Sequence, residues 1–253
     1  MSRPDKLRMP RAGVALICIV IGSWLAQAPQ AVAAASAEST RTLYLIRHGA
    51  YVADDRADPV TGPSLTALGI AQARLIGARL GGMPVQFNSI TSSTMTRARE
   101  TAAIIRESLP AVPLSQNPLL SECGPQTWHE RTAPTEANLQ CQRRVDEAFK
   151  NYFAPANRAD ENNIIVAHGN VIRYIVTKAL GVDTRAWLGM SIAHASLTII
   201  KVRSDGAISI IAVGDIGHIP PNLQSWGTDV DPQLLTPALA PGAATGSTAK
   251  PAG

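Results

Sequence analysis

The sequence predicts a three-layer α/β/α domain whose central sheet is mostly parallel and carries an antiparallel hairpin near the C-terminal end. Three observations predict it. Short apolar runs alternate with stretches of helical periodicity, the pattern of strands joined by crossover helices. Two of those runs, 42–46 (TLYLI) and 163–167 (NIIVA), read as buried strands. Finally, Ser204-Asp205-Gly206 separates two β-rich runs, 195–203 and 207–213. Asp-Gly in that position signals a hairpin.

The elements follow in order. After the strand at 42–46, residues 50–63 are polar and rich in Asp, Gly and Pro, so they form a loop. Ser64 or Thr66 can cap the next helix. Leu68, Leu75, Ile76 and Leu80 keep its spacing, and Gly81-Gly82 ends it. A short strand is expected at 87–91; Ser92-Ser93-Thr94 then precedes a helix running to about Leu109, stopped by Pro110. Residues 110–134 hold several prolines and one short strand; 135–153 reads as a helix. The strand at 163–167 leads to a helix at 170–180, ended by Gly181.

The ends read differently. Arg3, Lys6, Arg8 and Arg11 precede an apolar run from Ala12 to about Leu25, and Ala35-Ser36-Ala37 follows. This describes a signal peptide over 1–37, with an uncleaved membrane anchor as the alternative. A periplasmic or secreted location is the expectation. The folded domain then spans 38–230, and 231–253, rich in Pro, Ala, Gly, Thr and Ser, reads as a disordered tail. Residues 1–37 hold four basic and one acidic side chain, so the formal charge of the rest is +1 against +4 for the whole chain. That balance gives no support for a nucleic-acid partner. A membrane partner is expected only if the N-terminal segment is retained, and a homodimer is allowed. Beyond Cys18, the cysteines are Cys123 and Cys141. In an oxidising compartment they can pair, closing a loop worth about 3 kcal/mol; two separate thiols are the other reading.

The chemistry sits at strand ends. The strand at 42–46 runs into Arg47-His48-Gly49, the strand at 87–91 leads towards Arg97, and the strand at 163–167 runs into His168-Gly169-Asn170. In an open parallel sheet these carboxyl ends face one crevice. If the three strands are neighbours, Arg47, His48, Arg97 and His168 converge. Two guanidiniums, a helix N-terminus near Asn170 and a close-approaching backbone at Gly169 suit a phosphate group. Neighbouring cations keep His48 neutral, hence nucleophilic. Glu122, in the long loop, is the candidate proton donor to a leaving alkoxide. No His-Glu-x-x-His, clustered cysteine or calcium-loop pattern occurs, so no metal or other cofactor is expected. His129 is assigned to a lid, His194 to a structural or pocket-edge position, Arg99 and Glu100 to the surface or to local pairs, and Trp187 to the core.

Arg47-His48-Gly49 after a strand, Leu65-Thr66-x-x-Gly69-x-x-Gln72-Ala73, Ser92-Ser93-x-x-x-Arg97-Ala98-x-x-Thr101 and Ala167-His168-Gly169 resemble, in order, the blocks of the histidine phosphatase superfamily. Ser93-x-Met95-Thr96-Arg97-Ala98-x-Glu100-Thr101, residues 170–176 and Gly214-Asp215-x-Gly217-x-x-Pro220-Pro221 are most similar to its mitochondrial Ser/Thr protein phosphatase branch. The resemblance covers roughly residues 42–215. It implies a metal-independent phosphomonoesterase that works through a phosphohistidine on His48, with a small ester or a phosphoprotein as substrate. Glu122 matches the family's acid position, and Arg47, Arg97, His168 and Gly169 match its phosphate pocket. A phosphoglycerate or phosphosugar mutase, or a non-catalytic phosphate-binding protein, is the alternative on the same scaffold. The loop after Glu122 departs from the family pattern, and so does the missing N-terminal assembly segment.

Overall fold

The computed structural model describes residues 39–128, 132–157 and 159–227. The segments read as leader (1–37) and as tail (231–253) lie outside the described residues, as does His129. Six strands form one sheet in the order β3-β2-β4-β1-β5-β6. β1 (Arg41–Arg47), β2 (Ser89–Ser92), β3 (Leu114–Gln116) and β4 (Glu161–Ala167) run parallel. β5 (Leu197–Val202) pairs antiparallel with β1, and β6 (Ile208–Asp215) with β5. The hairpin turns where Asp205-Gly206 predicts it, and Gly206 takes the positive φ (82°) that such a turn requires.

Side-chain alternation along the central strands builds the layers. Leu43 and Leu45 of β1 and Ile165 and Ala167 of β4 face one core, with α3 (Glu136–Tyr152) and α4 (Gly169–Ala179). Tyr44, Ile46, Ile164 and Val166 face the other, with α1 (Ala67–Gly81) and α2 (Thr96–Ser108). Both faces are covered, which is why these strands read as unbroken apolar runs. β6, at the sheet edge, alternates between exposed and half-buried residues instead.

Caps set the helix starts. Thr66, rather than Ser64, caps α1, accepting from the Gly69 amide at 3.2 Å. Thr135 and Asn138 form a reciprocal capping box on α3. The second strand begins at Ser89, two residues later than expected, and the Ser93 amide still donates to Val166 O of β4, so the chain leaves the sheet only after it and α2 begins at Thr96. Cys123 and Cys141 form a disulfide that ties the long loop to α3. Among the described residues no helix is long and apolar enough to cross a membrane.

Candidate active site

β2, β4 and β1 are neighbours, and their parallel register ends three polar segments at one rim of the sheet. Arg47, His48, Arg97 and His168 all sit there and all are buried. The His48 amide continues the sheet by donating to Ala167 O at 3.0 Å. Close backbone approach fixes the turn after it. A Cβ on Gly49 would lie 2.4 Å from Gly69 O, and one on Gly69 would lie 2.1 Å from Ala50 O. Only two glycines allow α1 to press its first turn onto this segment. The Gly49 amide donates to Thr101 Oγ1 and the Ala50 amide to Gln72 Oε1, which anchors the turn to α2 and α1.

The His48 ring has a defined orientation. Nδ1 lies 2.8 Å from Gly49 O, and a carbonyl can only accept, so Nδ1 carries the proton. Nε2 is left with its lone pair, and Arg97 Nε donates to it at 3.1 Å. Burial pushes the His48 pKa well below the usual histidine range, with His168, Arg47 and Arg97 adding to the effect. The expected cause, neighbouring cations, is therefore present but second to desolvation. Arg47 Nη1 donates to Ile192 O at 2.6 Å, and its guanidinium packs over Gly169, where a Cβ would be 3.4 Å from Cζ. Gly169 thus faces Arg47 at ordinary contact distance. Ser93 Oγ accepts from the Met95 amide and can give its own proton to His168 Nε2, 2.9 Å away. His168 is also held neutral, mainly by burial.

Glu122 lines the same cleft. Burial raises its carboxyl pKa, opposed by the Cys123 amide bonded to Oε1 at 3.1 Å and by Arg47 and Arg97. Its loop is pinned from two sides. Arg144 of α3 donates to Ser121 O and Glu122 O, and Asn170 of α4 donates to Cys123 O. The cleft holds about 280 Å³, and Tyr51, His194 and Trp226 complete its walls.

Sequence reasoning missed Tyr51, whose ring lies under Arg97 with Cζ 4.5 Å from its centroid. It missed Asn170 and Arg144 as holders of the Glu122 loop. A lone aromatic in the loop at 50–63 carries no signal of this kind. His194 is at the cleft, as its pocket-edge reading allowed. His218 is held by Arg79 and Ala195 O away from the cleft lining. Glu100 does more than pair locally: it accepts from the Leu65 amide, 35 residues distant, at 2.7 Å. Among the described residues no group of three His, Cys, Asp or Glu side chains is placed to hold a metal ion.

Comparison with known proteins bears on this geometry. The family model of the histidine phosphatase superfamily (branch 1) matches residues 43–140 and 125–213. The mitochondrial serine/threonine-protein phosphatase Pgam5 of Caenorhabditis elegans is 38% identical over 198 residues, 75% of this chain and 68% of that protein. The human protein of the same name is 34% identical over 203 residues, 74% of this chain and 66% of that protein. Among solved structures, Bacillus stearothermophilus YhfR aligns with a TM-score of 0.58 at 26% identity, covering 71% of this chain and all of the other (100%). Phosphoglycerate mutase of Plasmodium falciparum aligns at 0.52 and 27% identity, covering 72% and 95%.

The relatives correct one expectation. They are mitochondrial proteins by name, which overturns the periplasmic or secreted location and the signal-peptide reading behind it. The physical reason is that a basic, then apolar, then small-residue N-terminus is shared by several kinds of targeting and anchoring segment, so its composition does not choose the compartment. On the family match and these identities, the chain belongs to the histidine phosphatase superfamily, branch 1, and is a phosphatase.

Proposed function

We propose that this protein hydrolyses phosphomonoesters through a phosphohistidine on His48 Nε2, and that its substrates are phosphoserine and phosphothreonine side chains of a protein. The observation that carries the reading is the directed pair of bonds on His48. Gly49 O holds the proton on Nδ1, and Nε2 keeps its lone pair beside a guanidinium. The substrate class rests on the names of the relatives.

In the first step the phosphoryl oxygens lie against Arg47, Arg97, His168 and the first amides of α4. Nε2 attacks phosphorus in line with the ester bond. The P–O bond breaks as the P–N bond forms, and the leaving oxygen takes the Glu122 proton. Attack by a neutral ring leaves positive charge on the imidazole, and Gly49 O, accepting from Nδ1–H, stabilises it. In the second step Glu122, now a carboxylate, takes a proton from water as the water oxygen attacks phosphorus. The P–N electron pair returns to Nε2 and phosphate departs. A buried carboxyl with a raised pKa suits both roles.

Brief reaction with labelled ester and an alkaline quench should leave acid-labile, alkali-stable label on the wild-type protein and none on His48→Ala. Turnover of a phosphoserine peptide by the variant should fall by at least about a thousandfold. Full turnover by the variant sinks the mechanism. Isomerisation of phosphoglycerates in place of phosphate release would move the reading to a mutase.

A further inference from the structure

The reaction above makes no use of His194, although it lines the same cleft and is 4% exposed. Its ring centroid lies 5.5 Å from that of His48, little farther than His168 at 5.0 Å. The backbone turns sharply beside it. Ala195 adopts a left-handed conformation (φ 53°), secured because its amide donates to Arg47 O and His48 O. For a residue with a Cβ this conformation is costly and is retained only where surroundings hold it.

A directional chain of hydrogen bonds fixes the ring. The Ala50 amide donates to Gln72 Oε1 at 2.8 Å, which sets the orientation of that amide group. Gln72 Nε2 must then donate, to Leu223 O at 2.7 Å and Ser225 Oγ at 2.9 Å. Ser225 Oγ, having accepted there, keeps its own proton to give, and His194 Nδ1 lies 2.9 Å away to take it. The His194 amide is bonded to Ser225 O as well. Where Nδ1 accepts the bond from Ser225 Oγ, the ring proton resides on Nε2. That atom is buried and has no hydrogen-bond partner among the described residues. A buried donor without a partner is costly, and at a cleft wall the cost is recovered when a ligand arrives.

We propose that His194 is a phosphate-binding residue, an uncharged donor whose Nε2–H bonds a phosphoryl oxygen, and that Gln72 and Ser225 are positioning residues that hold it in that tautomer. The inference rests on the phosphoryl site proposed above. Burial, then Arg47 and Arg97, keeps the His194 pKa down at about 3, so the ring stays neutral at working pH. A neutral donor adds direction without adding a further cation to a site that already holds two guanidiniums.

The test uses the purified full chain and inorganic phosphate, with binding read by calorimetry and as product inhibition. His194→Phe should weaken phosphate binding by about ten- to a hundredfold, the range of a hydrogen bond to a charged acceptor. His194→Gln, whose amide nitrogen reaches the Nε2 position, should recover all but a few-fold. Ser225→Ala should fall between them. In ¹⁵N spectra of histidine-labelled protein, His194 should appear as the Nε2–H tautomer in the wild type and as a mixture in Ser225→Ala. If His194→Phe does not fold, His194→Asn, whose amide stops short of Nε2, carries the same expected loss. Wild-type phosphate affinity in a folded donor-less variant, or an Nδ1–H tautomer in the wild type, overturns the proposal. Absence of both phosphate binding and labelled phosphoenzyme in the wild type would instead remove the site reading, and this inference with it.

Discussion

At the scale of single residues, one physical cause sets two opposite protonation states in the same cleft. Burial penalises charge, so it lowers the His48 pKa and raises that of Glu122. The proposed reaction needs the histidine neutral and the carboxyl protonated. The pH profile of kcat/KM should then rise through a limb below the usual histidine range and fall through one above the usual carboxylate range. Glu122→Gln cannot titrate, so the alkaline limb should vanish relative to the wild type, a comparison that cancels the ester's own ionisation near pH 6. It should also slow turnover of alkyl phosphates by about a hundred- to ten-thousandfold, and slow aryl esters with good leaving groups far less. An unchanged alkaline limb in that variant would remove Glu122 as the acid. Arg47, His48 and His168 were legible because each stands where an apolar run gives out at a strand end, and Arg97 because it opens the helix that follows one. Tyr51 was not, and His194 was legible only as a structural or pocket-edge residue. Their place depends on a left-handed turn at Ala195 and on a loop folding back, neither of which leaves a local pattern.

At the scale of elements, the long loop carries Glu122, the proposed acid. Among its described residues between β3 and α3 there is a single 3₁₀ turn, Pro118–Leu120. Its geometry is borrowed from α3 through Arg144 and the Cys123–Cys141 disulfide, and from α4 through Asn170. The disulfide adjoins Glu122 and spans 18 residues. Replacing both cysteines by serine should cost about 3 kcal/mol in urea unfolding by the chain-entropy account. It should also lower turnover of alkyl phosphates more than that of aryl esters, because the loosened group is the proton donor. Equal losses on both ester types would place the disulfide in stability alone. The strands and helices of this fold were readable from periodicity and caps. The loop was not, because its order comes from tertiary partners rather than from its own sequence. Cys123 and Cys141 show the same limit: two thiols in a sequence carry no distance, and their pairing emerges only when α3 docks beside the loop.

At the scale of the whole molecule, the site makes the folded state sensitive to acid. His48, His168 and His194 are buried and neutral, with pKa values below those of the unfolded chain. Below about pH 6.5 the unfolded chain protonates all three while the folded state resists. The unfolded state then binds more protons, and stability falls as pH falls. Glu122 opposes this, since its raised pKa lets the folded state take a proton first. His218, half-buried, has a lowered pKa as well, so the histidines outnumber the one opposing carboxyl and the net effect is a loss of stability as pH falls below the usual histidine range. Carboxylates held low by surface ion pairs, such as Asp215 with Arg79, act only further down, below the usual carboxylate range. Urea midpoints should therefore hold steady from pH 8 to 7 and drop across pH 6.5 to 5. Phosphate binds the folded state alone and should restore about 2.7 kcal/mol at a hundred times its Kd. Midpoints that stay level down to pH 5 would show that these histidines are solvated or already charged in the folded protein, and the neutral nucleophile would fall with them.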